Sequence, residues 1–155
     1  MTLSKSYATV LICLLACLGG CNERDARPQI SNARIVLPPP GMGMAAGYFE
    51  LSNPGRSPLR LRSVGSAVFS SVEMHETLSE NGLSQMREMK EAEVPPGGSL
   101  RFEPGGKHLM LMGGPGSPEA EEAYTMTLDI VDANGNTQRV EAHFKVEHAD
   151  NTHAH

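Results

Sequence analysis

Soft metal-ligand side chains concentrate between His75 and Met112 of this sequence. In Lys107-His108-Leu109-Met110-Leu111-Met112, a period of two places His108, Met110 and Met112 on one face of a strand, with Leu109 and Leu111 on the other. One face then carries an imidazole and two thioethers while the opposite face serves a core. Upstream, Val72 and Met74 share one strand face and His75 takes the other. A hairpin returns Met86 towards His75 in one of two registers. A four-residue loop over Ser79-Glu80-Asn81-Gly82 sets Met86 directly opposite His75. A two-residue Asn81-Gly82 turn instead pairs Met86 with Thr77, diagonal to His75 and within reach of a long side chain. Local geometry thus predicts two His/Met pairs, one on the hairpin and one on the His108 strand.

Two imidazoles and two or three thioethers, without cysteine or clustered carboxylates, form a selective ligand set. Thioethers are soft donors suited to Cu(I), whereas Zn prefers Cys and His, and Ca or Mg need oxygen ligands. They have no proton to lose and cannot form disulfides in an oxidising compartment. A single Met on a strand is ordinarily core filler, and that reading applies to Met74 and Met126; Met89 is left unassigned. A lone His is ordinarily a surface or capped residue. The two His/Met pairs taken together are what carry the metal reading.

The elements that position these residues are short. Ile30–Leu37, Ala45–Leu51, Leu59–Val64, Val68–Leu78, Leu83–Lys90, Leu100–Phe102, Tyr124–Ile130 and Val140–Val146 have strand composition. They are broken by Pro38-Pro39-Pro40-Gly41, Asn53-Pro54-Gly55, Pro95-Pro96-Gly97-Gly98 and Asp132-Ala133-Asn134-Gly135-Asn136. Glu119–Ala123 offers at most one helical turn. Many short strands at regular spacing predict an all-β sandwich or barrel. The 155 residues suit one domain, and 13 basic against 18 acidic side chains disfavour nucleic acid as a partner.

The N-terminus reads as an export segment. Lys5 precedes an apolar run, Tyr7–Leu18, that has the length of a signal-peptide core and is too short to span a bilayer. It ends in Leu18-Gly19-Gly20-Cys21, which resembles a bacterial lipobox and makes Cys21 the expected lipidated N-terminus; ordinary cleavage near the same glycines is the alternative. Expected boundaries are 1–20 for the signal, 21–28 for a lipidated tether, 29–147 for the β-domain and 148–155 for a flexible tail. Cys13 and Cys17 leave with the signal, so the mature domain has no thiol ligand, disulfide or cysteine nucleophile. Blue-copper electron transfer needs a thiolate and is excluded. With Lys5 gone, 12 basic face 18 acidic side chains, a net charge of −6.

His75, ten intervening residues, Met86, twenty-one more, then His108-x-Met110 resembles the signature of the periplasmic copper chaperones called PCuAC. Val72-Glu73-Met74-His75-Glu76, Ala45-Ala46-Gly47-Tyr48, Pro96-Gly97-Gly98 and Pro104–Met112 look like that family too. The resemblance implies a cupredoxin-like, Greek-key β-sandwich holding one Cu(I) through His75, Met86, His108 and Met110. It also implies delivery of copper to the CuA subunit of cytochrome c oxidase, alongside Sco-type copper proteins. Met112 lies outside the four-residue signature and is an auxiliary donor candidate. Met42 and Met44 are either a thioether pair that shields the site or collects copper, or an ordinary exposed loop.

The C-terminal histidines pose a separate question. His153 and His155, with His148 and His143 as weaker candidates, are either a second, Cu(II) site or a frayed end. Nothing in the chain suggests an enzyme: there is no Ser/His/Asp arrangement, thiol nucleophile or phosphate loop. The reading is a monomeric, lipid-anchored Cu(I) chaperone of the periplasm. Asn22, rather than aspartate, follows Cys21 and points to the outer membrane. The alternatives are a copper-buffering or resistance protein without a dedicated acceptor, and a structural envelope lipoprotein.

Overall fold

The computed structural model describes residues 27–38, 43–114 and 123–148. Among them are ten strands and no helix: β1 (Gln29–Leu37), β2 (Met44–Ser52), β3 (Leu59–Ser66), β4 (Ser71–Glu80), β5 (Leu83–Met89), β6 (Ala92–Val94), β7 (Ser99–Phe102), β8 (Lys107–Met112), β9 (Ala123–Val131) and β10 (Thr137–His148). No described helix is long and apolar enough to cross a membrane. Hydrogen bonds join the strands into one nearly closed, curled sheet in the order β5-β4-β8-β2-β1-β10-β9-β3-β6, with β7 also paired to β2. All neighbours are antiparallel except β1 and β10. The expected all-β class is what the chain adopts.

Alternation decides which side of each strand is buried. In β2, Ala45, Gly47, Phe49 and Leu51 face inwards; in β8, Leu109 and Leu111 do so. Phe49 stacks on Phe102 at 4.5 Å between ring centroids and meets Phe144 edge-on at 5.6 Å. Met74 and Met126 are core residues as expected, and Met89, paired with Met74, packs partly buried against the same cluster.

Three differences from the sequence pattern have local causes. β4 begins at Ser71 rather than Val68, because Ser66 Oγ accepts the Val68 amide in a bend and Phe69 turns into the core against Tyr124. Ala92–Val94, too short to show a period, pairs with β3 and buries Ala92 and Val94. Asn53, expected only to mark a turn, is fully buried. Its Nδ2 donates to the Ser57 and Val94 carbonyls and its Oδ1 accepts the Gly55 amide, so both polar side-chain atoms are satisfied.

The β9–β10 turn is built on Asp132. One carboxylate oxygen accepts the backbone amides of Asn134 and Asn136, and the other accepts the Asn136 side-chain amide. The Asn136 side-chain bond, then its backbone bond, holds the Asp132 carboxyl below the usual value. A depressed folded-state pKa contributes stability above the unfolded value of about 3.9, lost as pH falls through the folded value. Asp132→Asn should therefore lower the melting temperature at pH 7. The gap from the native chain should close as pH falls below about 4; a constant gap in pH-dependent thermal melts contradicts this role.

Candidate metal centre

The site residues lie on the outer face of β5, β4 and β8. The β4–β8 register pairs His75 directly with His108, Glu73 with Met110 and Ser71 with Met112. The β4–β5 register joins Glu80 to Leu83, so the turn is the two-residue Asn81-Gly82 form, with φ of 53° and 78°. Of the two registers open to the sequence, this one pairs Met86 with Thr77 and makes it diagonal to His75. The two histidines are thus direct neighbours, their ring centroids 6.0 Å apart, and the thioethers of Met86 and Met110 flank them on adjacent rungs. That direct His–His pairing joins two segments far apart in sequence, which no local pattern reveals.

Each imidazole is held by one nitrogen. His108 Nδ1 donates to the Gly106 carbonyl at 3.1 Å, which leaves Nε2 with a free lone pair. The same carbonyl accepts the Thr77 amide, so the loop that orients His108 is tied to β4. Gly105, with φ of 79°, supplies the left-handed residue this turn needs. His75 Nε2 donates to the Glu73 carboxylate at 3.0 Å, leaving Nδ1 as the acceptor. That Nδ1 is buried and is the one buried side-chain nitrogen or oxygen among the described residues without a partner. An unsatisfied buried acceptor is costly, and a metal ion is one way to satisfy it. A carboxylate or carbonyl holding the far nitrogen of an imidazole is also the usual support of a histidine ligand.

No group of three or more His, Cys, Asp or Glu among the described residues is arranged to hold a metal. Two imidazoles alone make an incomplete set, so a metal here must draw on thioethers. Met86 is 57% exposed on the edge strand β5, while Met110 and Met112 are half-buried on β8. Lys107 Nζ donates to Glu76 at 2.8 Å on the reverse face of the next rung, and this bond holds the Glu76 carboxyl below its usual value. Arg34 sits over the Tyr48 ring on the outer face, and burial raises the Tyr48 phenol despite that cation.

The other histidines lie apart. His143, on β10, bonds Thr125 through Nδ1, and His148 ends β10, exposed. Cys21, Met42, His153 and His155 fall outside the described residues, as do Glu119–Glu122.

Known proteins share this architecture. The copper-bound PCuAC domain from PmoF2 matches with a TM-score of 0.62 at 25% identity, covering 79% of this chain and 93% of that one. The apo PmoF2 PCuAC domain gives 0.62 at 27% identity, with coverages of 82% and 94%. The Cu(I) form of DR1885 from Deinococcus radiodurans shares the fold at a TM-score of 0.57 and 23% identity, over 89% of this chain and 87% of that one. The described residues are therefore a β-domain of the PCuAC type. A family model described as "Putative lipoprotein LpqE-like" matches residues 29–146, and the chain belongs to the LpqE-like family. "Putative lipoprotein Lxx21020" of Leifsonia xyli subsp. xyli is 35% identical over 107 residues, 68% of this chain. The match spans 63% of that relative's length, less than two thirds.

The hydrogen bonds set the tautomers of the metal-free protein. Long-range ¹⁵N–¹H spectra should find His75 protonated on Nε2 and His108 on Nδ1. Glu73→Gln should leave His108 unchanged and let His75 populate both tautomers; an unaltered His75 pattern would mean that Glu73 does not orient the ring.

Proposed function

We propose that this protein is a Cu(I) metallochaperone of the bacterial cell envelope, with His75, Met86, His108 and Met110 as its ligands. The observation that carries this reading is the buried, unpartnered Nδ1 of His75 beside the directly paired His108. Both imidazoles offer a lone pair, their other nitrogens being occupied, and the flanking donors are neutral thioethers. Binding Cu(I) in this set releases no proton from sulfur, and the soft donors favour the cuprous ion over Zn or Ca. The copper-bound state of the PmoF2 domain supports the same reading.

Carrying an ion differs from storing it, because the ligands must also be surrendered. Met86, exposed on an edge strand, is the donor that an incoming ligand replaces first; Met110 and the two histidines follow from the sheet interior. We assign Cys21 as the lipid anchor and the CuA subunit of cytochrome c oxidase as the acceptor, with Sco-type proteins alongside. The protein binds and passes metal and catalyses no reaction. A Cu(II) site at His153 and His155 is a separate element of the proposal.

Titration with Cu(I) against a chromophoric chelator should give one ion per chain at sub-nanomolar or tighter affinity. His108→Ala with Met110→Leu should abolish binding without unfolding, since Leu109 and Leu111 still fill the core; unchanged binding would sink the assigned site. Glu73→Gln should weaken Cu(I) by about tenfold or more, the usual loss when a histidine ligand's support is removed. Truncation after His148 should spare Cu(I) and remove any Cu(II) binding.

Delivery is tested in cells. Deleting the gene should lower oxidase activity under copper limitation, restored by added copper. Normal oxidase with lost copper tolerance would instead identify a buffer.

A further inference from the structure

The outer face of the sheet carries one more thioether pair than the proposed ligand set uses. The β2–β8 register places Met44 directly opposite Met112, and Ala46 opposite Met110. Cα partners in an antiparallel pair share a face, so Met44, Met112 and Met110 lie together on two adjacent rungs. Ala46 has almost no side chain, so the surface of β2 beside Met110 is low and the long Met44 side chain has room to reach across the diagonal. On its other side Met112 has Ser71.

Met112 is not at a frayed end. Its carbonyl accepts both the amide and the hydroxyl of Ser70, at 2.9 and 3.1 Å. Gly113 then turns with φ of 65°, and a Cβ there would collide with the Ser70 side chain. Nor is Met44 core filler, the usual reason for a methionine on a strand, because it is 52% exposed while its neighbour Ala45 is buried. An apolar docking patch explains the pair less well. Two methionines and an alanine fall short of the several hundred Å² typical of such patches, and Ser71 and Glu73, themselves hydrogen-bonded to each other, bound it with polar groups.

We infer that Met44 and Met112 form a second Cu(I) station, which shares Met110 with the His75–His108 centre and passes the ion to and from it. The inference rests on reading that centre as a Cu(I) site. Two or three thioethers without an imidazole hold Cu(I) more weakly than the mixed set, as a transit station requires. Movement between stations is ligand exchange alone. Met110 sulfur stays bound while Met44 and Met112 sulfur leave and imidazole nitrogens enter, and the copper remains Cu(I) throughout.

The test uses the full chain with ¹³C-methyl-labelled methionine, titrated anaerobically with Cu(I). The first equivalent should shift the Met86 and Met110 methyls, and the second those of Met44 and Met112. Met44→Leu with Met112→Leu conserves volume and should fold normally. It should keep first-equivalent affinity, lose the second equivalent, and take up Cu(I) from a chelator complex at least several-fold more slowly. A second equivalent that bypasses both methyls, or survives in the double variant, overturns the station. So does unchanged Cu(I) binding coupled to loss of acceptor association, which would make the pair a docking patch. If the first equivalent leaves Met86 unmoved but shifts Met44, Met110 and Met112, the station stands and the His75–His108 reading falls.

Discussion

The register between β4 and β8 is the constraint on which the rest of the molecule depends. It pairs Met74 with Leu109 and Val72 with Leu111 on the inner face, and His75 with His108 and Glu73 with Met110 on the outer face. Leu109 and Leu111 are 0% and 1% exposed. A slip of one residue would turn both into solvent and drive His108 and Met110 into the core. Each leucine contributes roughly 2 kcal/mol through burial, so the apolar side of β8 holds its polar side in place. The arrangement of the proposed ligands is in this sense a by-product of packing behind it, with no need for His75, His108 or Met110 to stabilise the fold themselves.

On that scaffold the outer face is organised by hydrogen bonds that aim nitrogen lone pairs. Glu73 and the Gly106 carbonyl each take the proton-bearing nitrogen of one histidine, on opposite ring positions, because one partner lies along the same strand and the other in the preceding loop. The thioethers need no such support, since sulfur offers lone pairs in any rotamer. The division of labour follows: rigid imidazoles occupy the paired central strands, while flexible methionines occupy the flanking rungs and the edge.

Much of this was legible from period alone. Alternation in Lys107–Met112 and in Val72–His75 assigned every inward and outward side chain correctly, because both strands have one buried face. The hairpin was legible only as two options, and the choice fell to Asn81 and Gly82, whose positive φ values suit the tighter turn. What stayed hidden depends on long-range pairing: the His75–His108 contact, the Met44–Met112 pair, the parallel pairing of β1 with β10 that joins the two halves of the sheet, and the burial of Asn53. A loop-like methionine and a turn-like asparagine acquire their neighbours from strands distant in sequence, and no local window contains that information. The brief strand Ala92–Val94 escaped for a simpler reason, being shorter than any detectable period.

The Asn81-Gly82 turn also makes the ten-residue spacer a parity code. With Glu80 joined to Leu83, each β4 residue from Met74 to Glu80 faces a β5 residue of opposite parity in the numbering, so His75 and Met86 share a face because one number is odd and the other even. Inserting or deleting a single residue between them would turn the Met86 sulfur to the other side of the sheet, unless a bulge absorbed the change. Adding or removing two preserves the face, and Met86 moves a rung towards or away from His75 only when both residues come from the same arm of the hairpin. Length variation among related chains should therefore run in steps of two across this hairpin, because the backbone counts the spacer whatever residues fill it.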